Sequence, residues 1–384
     1  MKKIFIFLLM CIMFIVNVEV SAEPTLDLAP NSTSAYLIEA STLRVIFEKE
    51  PTKPLNPASM TKIMTMILVM EYLDKGIIKL DDMVTTPLEA KELGGTKIYL
   101  EVGEQMSVHD LLKSVAINSA NDAAMSLSIY VGGTAENFVN MMNEKAKEIG
   151  CVNTNFVNSY GFDDPNHYSC ARDMAIMGAY LVNTYPKILE YTSKYEDYVR
   201  EDNLEKKFWL VNTNKLVKHM PGVDGIKTGW TNEAGYCLTA SIKKNDIRFI
   251  AVSMKCPTPD ARTKDIVSML NYATSTYDLE RYLKKGAVVS TVEDVLVKPK
   301  RYNIVVSEDV NILKKKGTQV KNVSMNVNID NLKLKRLEGV VGTLDVYLNG
   351  KLYKSVNLEV QEEIKKASFF DVVLEVLKEI FLVS

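Results

Sequence analysis

Short apolar runs bounded by turn residues lie on either side of a long helical section. Two strand-like runs, at residues 35–38 and 43–47, precede it. Residues 59–73 form an apolar, methionine-rich stretch without a helix breaker, which predicts a buried helix. Helical periodicity continues to about Tyr185, and Ser107, followed three residues later by an aspartate, is typical of a helix start.

Three further strand-like runs follow the helical section, at residues 223–230, 236–242 and 247–254. Asn245-Asp246 supplies the turn between the last two runs, and a helix at about 261–274 closes the unit. Because strands at both ends enclose a helical middle, the pattern predicts an α/β sandwich. Its antiparallel sheet has helices packed on both faces.

The pattern changes after about residue 282. Residues 283–362 are rich in valine, asparagine and lysine and lack helical periodicity. Apolar runs at 344–348 and 351–353 are separated only by Asn349-Gly350, a strong signal for a two-residue hairpin. We predict a small all-β domain without chemistry of its own.

The chain begins like an exported protein. Two lysines precede an apolar run at residues 4–16, and small residues follow it. The run is shorter than the roughly 20 residues that span a bilayer. Residues 1–22 are therefore predicted to be a signal peptide, cleaved before Glu23.

Residues 363–384 resemble neither domain. Ser368 and Asp371 are placed to cap a helix that is apolar over most of its surface. Its charged residues share one stripe at helical spacing: Asp371, Glu375, Lys378 and Glu379. Such a helix is too short to span a membrane, and we predict that it lies in the membrane interface and anchors the protein. The alternative is a terminal helix docked on the β domain.

Composition excludes several functions. The 46 basic and 48 acidic residues give a net charge of -2, which provides no basic face for nucleic acid. Four cysteines remain after the leader, and we favour buried free thiols over disulfides because a chain of this size folds without them. No cysteine or histidine pattern indicates a metal, and no cofactor is expected.

Three short motifs carry the chemistry: S-M-T-K at residues 59–62, S-A-N at 119–121 and K-T-G at 227–229. Each alone is weak, because a match to the first is expected about twice by chance in a chain of this size. In this order they match the set found in β-lactamases and penicillin-binding proteins.

The first motif provides a nucleophile and a base. Lys62 lies one helical turn from Ser59 and is adjacent to it in space. A lysine accepts the serine proton only as a neutral amine, which burial and a nearby cation such as Lys227 favour. Ser59 also begins its helix just after Pro57, so unpaired backbone N–H groups face the reacting carbonyl.

The other motifs fit substrate binding. Ser119 lies between two helical runs, where it is placed to relay a proton, and the Asn121 amide is placed to hold the substrate backbone. Gly229 on its strand permits close approach of another chain. The strand edge fits pairing with an extended peptide, whose terminal carboxylate then faces Lys227 and Thr228.

A Ser-His-Asp triad has little support. None of the histidines lies in a nucleophile-elbow context, and each is interpreted as structural: His109, His167 and His219.

From these residues the chain is similar to the D-alanyl-D-alanine carboxypeptidases, the low-molecular-weight penicillin-binding proteins of the serine peptidase type. The likeness covers roughly residues 35–277. It is strongest in four segments, at 56–62, 121–124, 167–175 and 227–238. It implies a β-lactamase/transpeptidase-like catalytic domain at 23–282. It also implies removal of the terminal D-alanine from peptidoglycan stem peptides at the outer face of the cytoplasmic membrane, and covalent inhibition by β-lactams.

The resemblance implies a role for each motif residue. Ser59 is the acylated nucleophile and Lys62 its base. Ser119 acts in proton transfer, and Asn121 and Lys227 position the substrate.

It also implies an oxyanion hole and a carboxylate site. Thr228 and Arg262 bind the carboxylate of the terminal D-alanine. The backbone N–H groups of Ser59 and Trp230 hold the oxyanion.

Two departures and two rival functions remain. Ala120 replaces the usual glycine, and Tyr160 stands where many members have histidine. Glu136 with Asn140 has the spacing of a β-lactamase deacylation site, but it follows the S-A-N motif too closely. The second rival is a catalytically silent penicillin-binding scaffold, against which the intact motifs argue.

Overall fold

The computed structural model describes residues 26–203, 205–330, 334 and 339–382. The predicted leader, residues 1–22, lies outside them. The strands are β1 Ser34–Glu39, β2 Val45–Lys49, β3 Met83–Thr85, β4 Gln105–Ser107, β5 Glu196–Val199, β6 Phe208–Val211, β7 Val223–Thr231, β8 Gly235–Lys244, β9 Ile247–Cys256, β10 Tyr277–Leu283, β11 Val288–Glu293, β12 Val297–Lys298, β13 Arg301–Val306, β14 Val310–Lys315, β15 Val323–Ile329, β16 Val340–Leu348, β17 Lys351–Val360 and β18 Lys365–Lys366.

The helices agree with the predicted helical middle. They are α1 Lys62–Asp74, α2 Leu88–Glu92, α3 Val108–Ile117, α4 Asn121–Gly132, α5 Ala135–Glu148, α6 Ala171–Thr184, α7 Leu189–Thr192, α8 Leu216–His219, α9 Pro259–Thr276 and α10 Phe369–Leu382. Ser107 caps α3 as predicted, because its hydroxyl accepts the Asp110 N–H at 3.1 Å. The helix predicted from Ser59 instead begins with a 3₁₀ turn, Ala58–Thr61, before α1.

The predicted sandwich is confirmed. The main antiparallel sheet has the order β2-β1-β9-β8-β7. Strand β1 is buried along its whole length, and its residues alternate between two cores. Ile38 packs in the core with α1 and α6, whereas Leu37 packs in the core with α9. Helices therefore cover both faces, and β7 is the outer strand of the described sheet.

The second part of the chain forms its own apolar core. A sheet of order β11-β13-β17-β16-β15 encloses buried residues such as Ile304, Leu344 and Leu358. The predicted hairpin joins β16 to β17 through Asn349 and Gly350, both with positive φ, 52° and 76°. Strand β10 crosses the predicted boundary at residue 282 and pairs with β14.

Helix α10 begins at the predicted cap. The Asp371 N–H donates to Ser368 Oγ at 3.2 Å, and the Ser368 N–H donates back to the Asp371 carboxylate at 3.1 Å. Phe369, Phe370 and Phe381 are exposed to 77%, 81% and 71%. None of the helices in the described part of the chain is both long and apolar enough to cross a membrane.

Candidate active site

Ser59 lies on a short turn at the base of a cleft. The turn, Ala58–Thr61, follows Pro57 and precedes α1. Ala58 adopts a left-handed backbone with φ of 48°, and its N–H donates to Asn56 Oδ1 at 2.8 Å. Because the first N–H groups of a helical turn have no partner within it, the Ser59 N–H is available to a ligand.

Two glycines let neighbouring segments hold this turn. A Cβ atom on Gly229 of β7 would lie 2.6 Å from the Pro57 carbonyl oxygen. A Cβ atom on Gly161, whose φ is +95°, would overlap with the Ala58 carbonyl oxygen. The close approach predicted at Gly229 is therefore made by the protein's own nucleophile turn.

Lys62 is buried and contacts three oxygen atoms. Its Nζ lies 3.0 Å from Ser59 Oγ, 2.7 Å from Asn121 Oδ1 and 2.7 Å from the Tyr160 carbonyl oxygen. The side chain has no exposed surface. The spacing of the first motif therefore brings its two residues together, as predicted.

The surroundings of Lys62 favour the neutral amine. Burial, and then the neighbouring cation of Lys227, hold the pKa of Lys62 well below its usual value, while Asp122 acts in the opposite direction. A neutral amine has two N–H groups and one lone pair. The carbonyls of Asn121 and Tyr160 accept the two N–H groups, which leaves the lone pair for the Ser59 proton.

The second motif lies across the cleft from β7. Ser119 has φ of +67° and occupies the corner between α3 and α4, where it lines the cleft. Asn121 begins α4, and its amide binds Lys62 through Oδ1 and the Gly94 carbonyl through Nδ2, at 2.9 Å. In this arrangement Asn121 orients the base, a role that its sequence position alone did not indicate.

The third motif and α9 provide cations and hydroxyls. Lys227 is buried, and burial together with the charge of Arg262 lowers the pKa of its amine to about 7. Thr228 Oγ1 donates to Thr213 Oγ1 at 2.7 Å. Arg262 Nε is buried and has no hydrogen-bond partner among the described residues. A carboxylate is the ligand to which a guanidinium N–H group donates most favourably.

These residues share one cleft of about 470 Å³. Its lining includes most of the predicted site residues: Ser59, Ser119, Thr228, Gly229, Trp230 and Arg262. Lys62, Asn121 and Lys227 lie buried beneath it. Thr213 also lines it but carries no sequence signal, because it belongs to a separate loop before β7.

Other polar residues of the sequence serve the fold. His167 is buried, and its Nε2 lies 2.7 Å from Thr61 Oγ1. Burial lowers the pKa of His167 to about 4. His109 Nδ1 lies 2.9 Å from the Tyr191 hydroxyl. Both agree with the structural role predicted for them.

Two further predictions can be compared with the structure. Glu136 lies exposed in the first turn of α5 and does not line the cleft, so it is not placed as a β-lactamase base. The four cysteines among the described residues are buried free thiols, as predicted: Cys151, Cys170, Cys237 and Cys256.

A serine beside a buried lysine whose pKa is lowered, next to an outer strand and an arginine with an unpartnered buried Nε, is typical of a serine acyl-transfer enzyme of the penicillin-binding type. The D-alanyl-D-alanine carboxypeptidase model, peptidase S11, matches residues 19–258. The chain belongs to this family, and it is a serine D-Ala-D-Ala carboxypeptidase, as predicted.

Individual relatives agree with this assignment. The chain is 45% identical over 347 residues to the D-alanyl-D-alanine carboxypeptidase DacF of Bacillus subtilis, covering 90% of this chain and 89% of that protein. Penicillin-binding protein 5 of Haemophilus influenzae is similar in structure, with a TM-score of 0.71 and 30% identity over 88% of this chain and 98% of its own. Penicillin-binding protein D2 of Listeria monocytogenes, solved in an ampicillin-bound form, has a TM-score of 0.57 and 29% identity over 63% and 96%.

Proposed function

We propose that this enzyme removes the terminal D-alanine from peptidoglycan stem pentapeptides through an acyl-enzyme on Ser59. The observation that carries the proposal is the environment of Lys62. Two carbonyl oxygens accept its N–H groups at 2.7 Å, and Ser59 Oγ lies 3.0 Å away. This arrangement suits a base that takes a proton from the serine.

In acylation, Ser59 Oγ attacks the carbonyl carbon of the penultimate D-alanine and its proton passes to Lys62 Nζ. The backbone N–H groups of Ser59 and Trp230 bind the resulting oxyanion. The peptide bond then breaks, and the amine of the leaving D-alanine takes the proton, relayed through Ser119. In deacylation, a water molecule gives a proton to Lys62 and attacks the ester carbon. The bond from that carbon to Ser59 Oγ then breaks, and Lys62 returns the proton to Oγ, which releases the shortened peptide and restores the Ser59 hydroxyl.

Substrate binds along the free edge of β7 in this proposal. An extended peptide adds to the edge by backbone hydrogen bonds. Its terminal carboxylate faces Thr228 and Arg262, whose buried Nε lacks a partner among the described residues. Lys227 contributes positive potential from beneath. Asn121 positions the substrate indirectly, because its Oδ1 holds Lys62 and its Nδ2 is bonded to the Gly94 carbonyl.

A β-lactam presents a strained amide and a carboxylate to the same groups. We therefore propose that β-lactams acylate Ser59 and act as covalent inhibitors. The two rival functions are less well supported. A β-lactamase function would need a base that activates the deacylating water. Glu136 cannot be that base, because it is exposed and lies outside the cleft. A silent scaffold does not explain the buried, desolvated lysine beside the serine.

The proposal places the mature enzyme at the outer face of the cytoplasmic membrane. Residues 1–22 direct export, residues 23–282 catalyse, and residues 283–362 form a β domain. Helix α10, within residues 363–384, rests in the membrane interface. Its exposed phenylalanines support this: burying them in lipid is favourable by roughly 25 cal/mol per Å².

Release of D-alanine tests the function directly. The purified protein comprising residues 23–384 should liberate one D-alanine from each molecule of a peptide ending in D-Ala-D-Ala. The Ser59→Ala substitution should abolish this release. Ser193→Ala, at an exposed serine outside the cleft, is the matched control and should behave as the wild type. Equal release by wild type and Ser59→Ala would reject the proposal.

A further inference from the structure

Asp163 links three segments, one of which contains Trp230, a residue that lines the cleft. Its Oδ1 accepts from Asn56 Nδ2 at 2.6 Å and from Thr231 Oγ1 at 2.7 Å. Asn56 precedes the nucleophile turn and binds the Ala58 N–H through its own Oδ1. Both donors meet Oδ1, and among the described residues none donates to Oδ2. The residue is exposed, so one carboxylate oxygen faces solvent.

The direction of the bound peptide brings its acyl part to this end. This step rests on the proposed function, in which Thr228 and Arg262 bind the terminal carboxylate. The peptide then runs along β7 past Trp230 towards Thr231. Extended residues advance about 3.4 Å each, as the strand residues do. The residue preceding D-Ala-D-Ala therefore lies beside Thr231, to which Asp163 is bonded.

Aromatic side chains are exposed around the same position. Trp230 is 54% exposed, and its ring lies 5.9 Å from that of Tyr236. Phe162, adjacent to Asp163, is 37% exposed, and its ring lies 4.9 Å edge-on to that of Tyr160. Apolar rings next to a carboxylate suit a side chain with an aliphatic stem and a cationic end.

We propose that Asp163 is a specificity residue for an ammonium group at the end of that side chain, as a diamino acid carries. The aliphatic stem packs against the exposed aromatic rings, and the ammonium donates to Oδ2. The bonds to Asn56 and Thr231 hold the carboxylate in place before substrate binds, so little ordering is needed at that moment.

Two matched peptides test this proposal. One is Nα-acetyl-L-lysyl-D-Ala-D-Ala with a free ε-ammonium group, and the other carries an acetyl group on that nitrogen. Exposed ion pairs change equilibria by up to about fivefold. The wild-type enzyme should therefore favour the free ammonium by a few-fold in kcat/KM. Asp163→Asn keeps an Oδ1 acceptor for both internal bonds, removes the charge, and should bring the ratio close to one.

Asp164→Asn is the matched control. Asp164 is also exposed, and its carboxylate accepts the Asn166 N–H at 2.7 Å instead of bridging to β7. Its ratio should remain that of the wild type. Two results for Asp163→Asn would overturn the proposal. One is an unchanged preference for the free ammonium, and the other is an equal fall in kcat/KM for both peptides, which would mean that Asp163 supports the fold. Turnover of neither peptide by the wild type would reject the proposed function itself.

Discussion

Replacing Lys62 by arginine separates a base from a simple positive charge. Arginine keeps the charge but stays protonated at any usable pH, so it has no lone pair for the Ser59 proton. Loss of a general base lowers rates by about 10²–10⁴-fold, or about 3–5 kcal/mol in the transition state. The site adds a steric cost, because Nζ already has partners at 2.7, 2.7 and 3.0 Å.

The assay is the rate of acylation by a fluorescent penicillin, measured across pH together with D-alanine release. In the wild type, activity should fall as pH decreases through the lowered pKa of Lys62, because protonation removes the base. Lys62→Arg should be slower by at least 10²-fold at every pH, by the same general-base estimate.

Lys75→Arg is the matched control. Lys75 caps the other end of α1, where it is exposed and paired with Glu71, so both rates should remain near those of the wild type. Thermal unfolding of Lys62→Arg shows whether the fold survives. A folded Lys62→Arg that retains most of its acylation rate would refute the base assignment and leave Lys62 as an electrostatic partner.

Three other predictions follow from packing and exposure. Gly229→Ala should destabilise the fold by about 1–3 kcal/mol and slow acylation, because its Cβ meets the Pro57 carbonyl oxygen at 2.6 Å; Gly339→Ala, which meets nothing within 4 Å, should do neither. A chain ending at Ala367 keeps β18 but lacks α10. It should stay in the supernatant when lipid vesicles are sedimented and should release D-alanine normally. The full-length mature chain should sediment with them and be freed by detergent but not by high salt; a full-length form that ignores vesicles favours a docked helix. The buried cysteines should resist Ellman's reagent until denaturation, since burial raises the pKa of Cys237 to about 12; rapid native reaction would contradict this.

The sequence predicted those contacts and turns that are made by residues close together along the chain. Lys62 lies near Ser59 because both belong to consecutive turns, and the hairpin at Asn349-Gly350 follows from residues that tolerate positive φ. The order of strands and helices was predictable for the same reason, since periodicity is a local property.

Contacts made across the fold were not predictable in this way. The Tyr160 carbonyl binds Lys62 from 98 residues away, and a backbone oxygen carries no residue-specific signal. Thr213 reaches Thr228 from a separate loop. The left-handed φ of Ala58, 48°, is imposed by neighbouring segments rather than by alanine itself.

The most direct test of the central claim is the mass of the protein after exposure to benzylpenicillin. One adduct of intact drug should form, and peptide mapping should place it on the peptide that contains Ser59. Ser59→Ala should remain unmodified, and Ser193→Ala should react as the wild type does. An adduct that persists in Ser59→Ala, or that maps to another residue, would contradict the acyl-enzyme on Ser59.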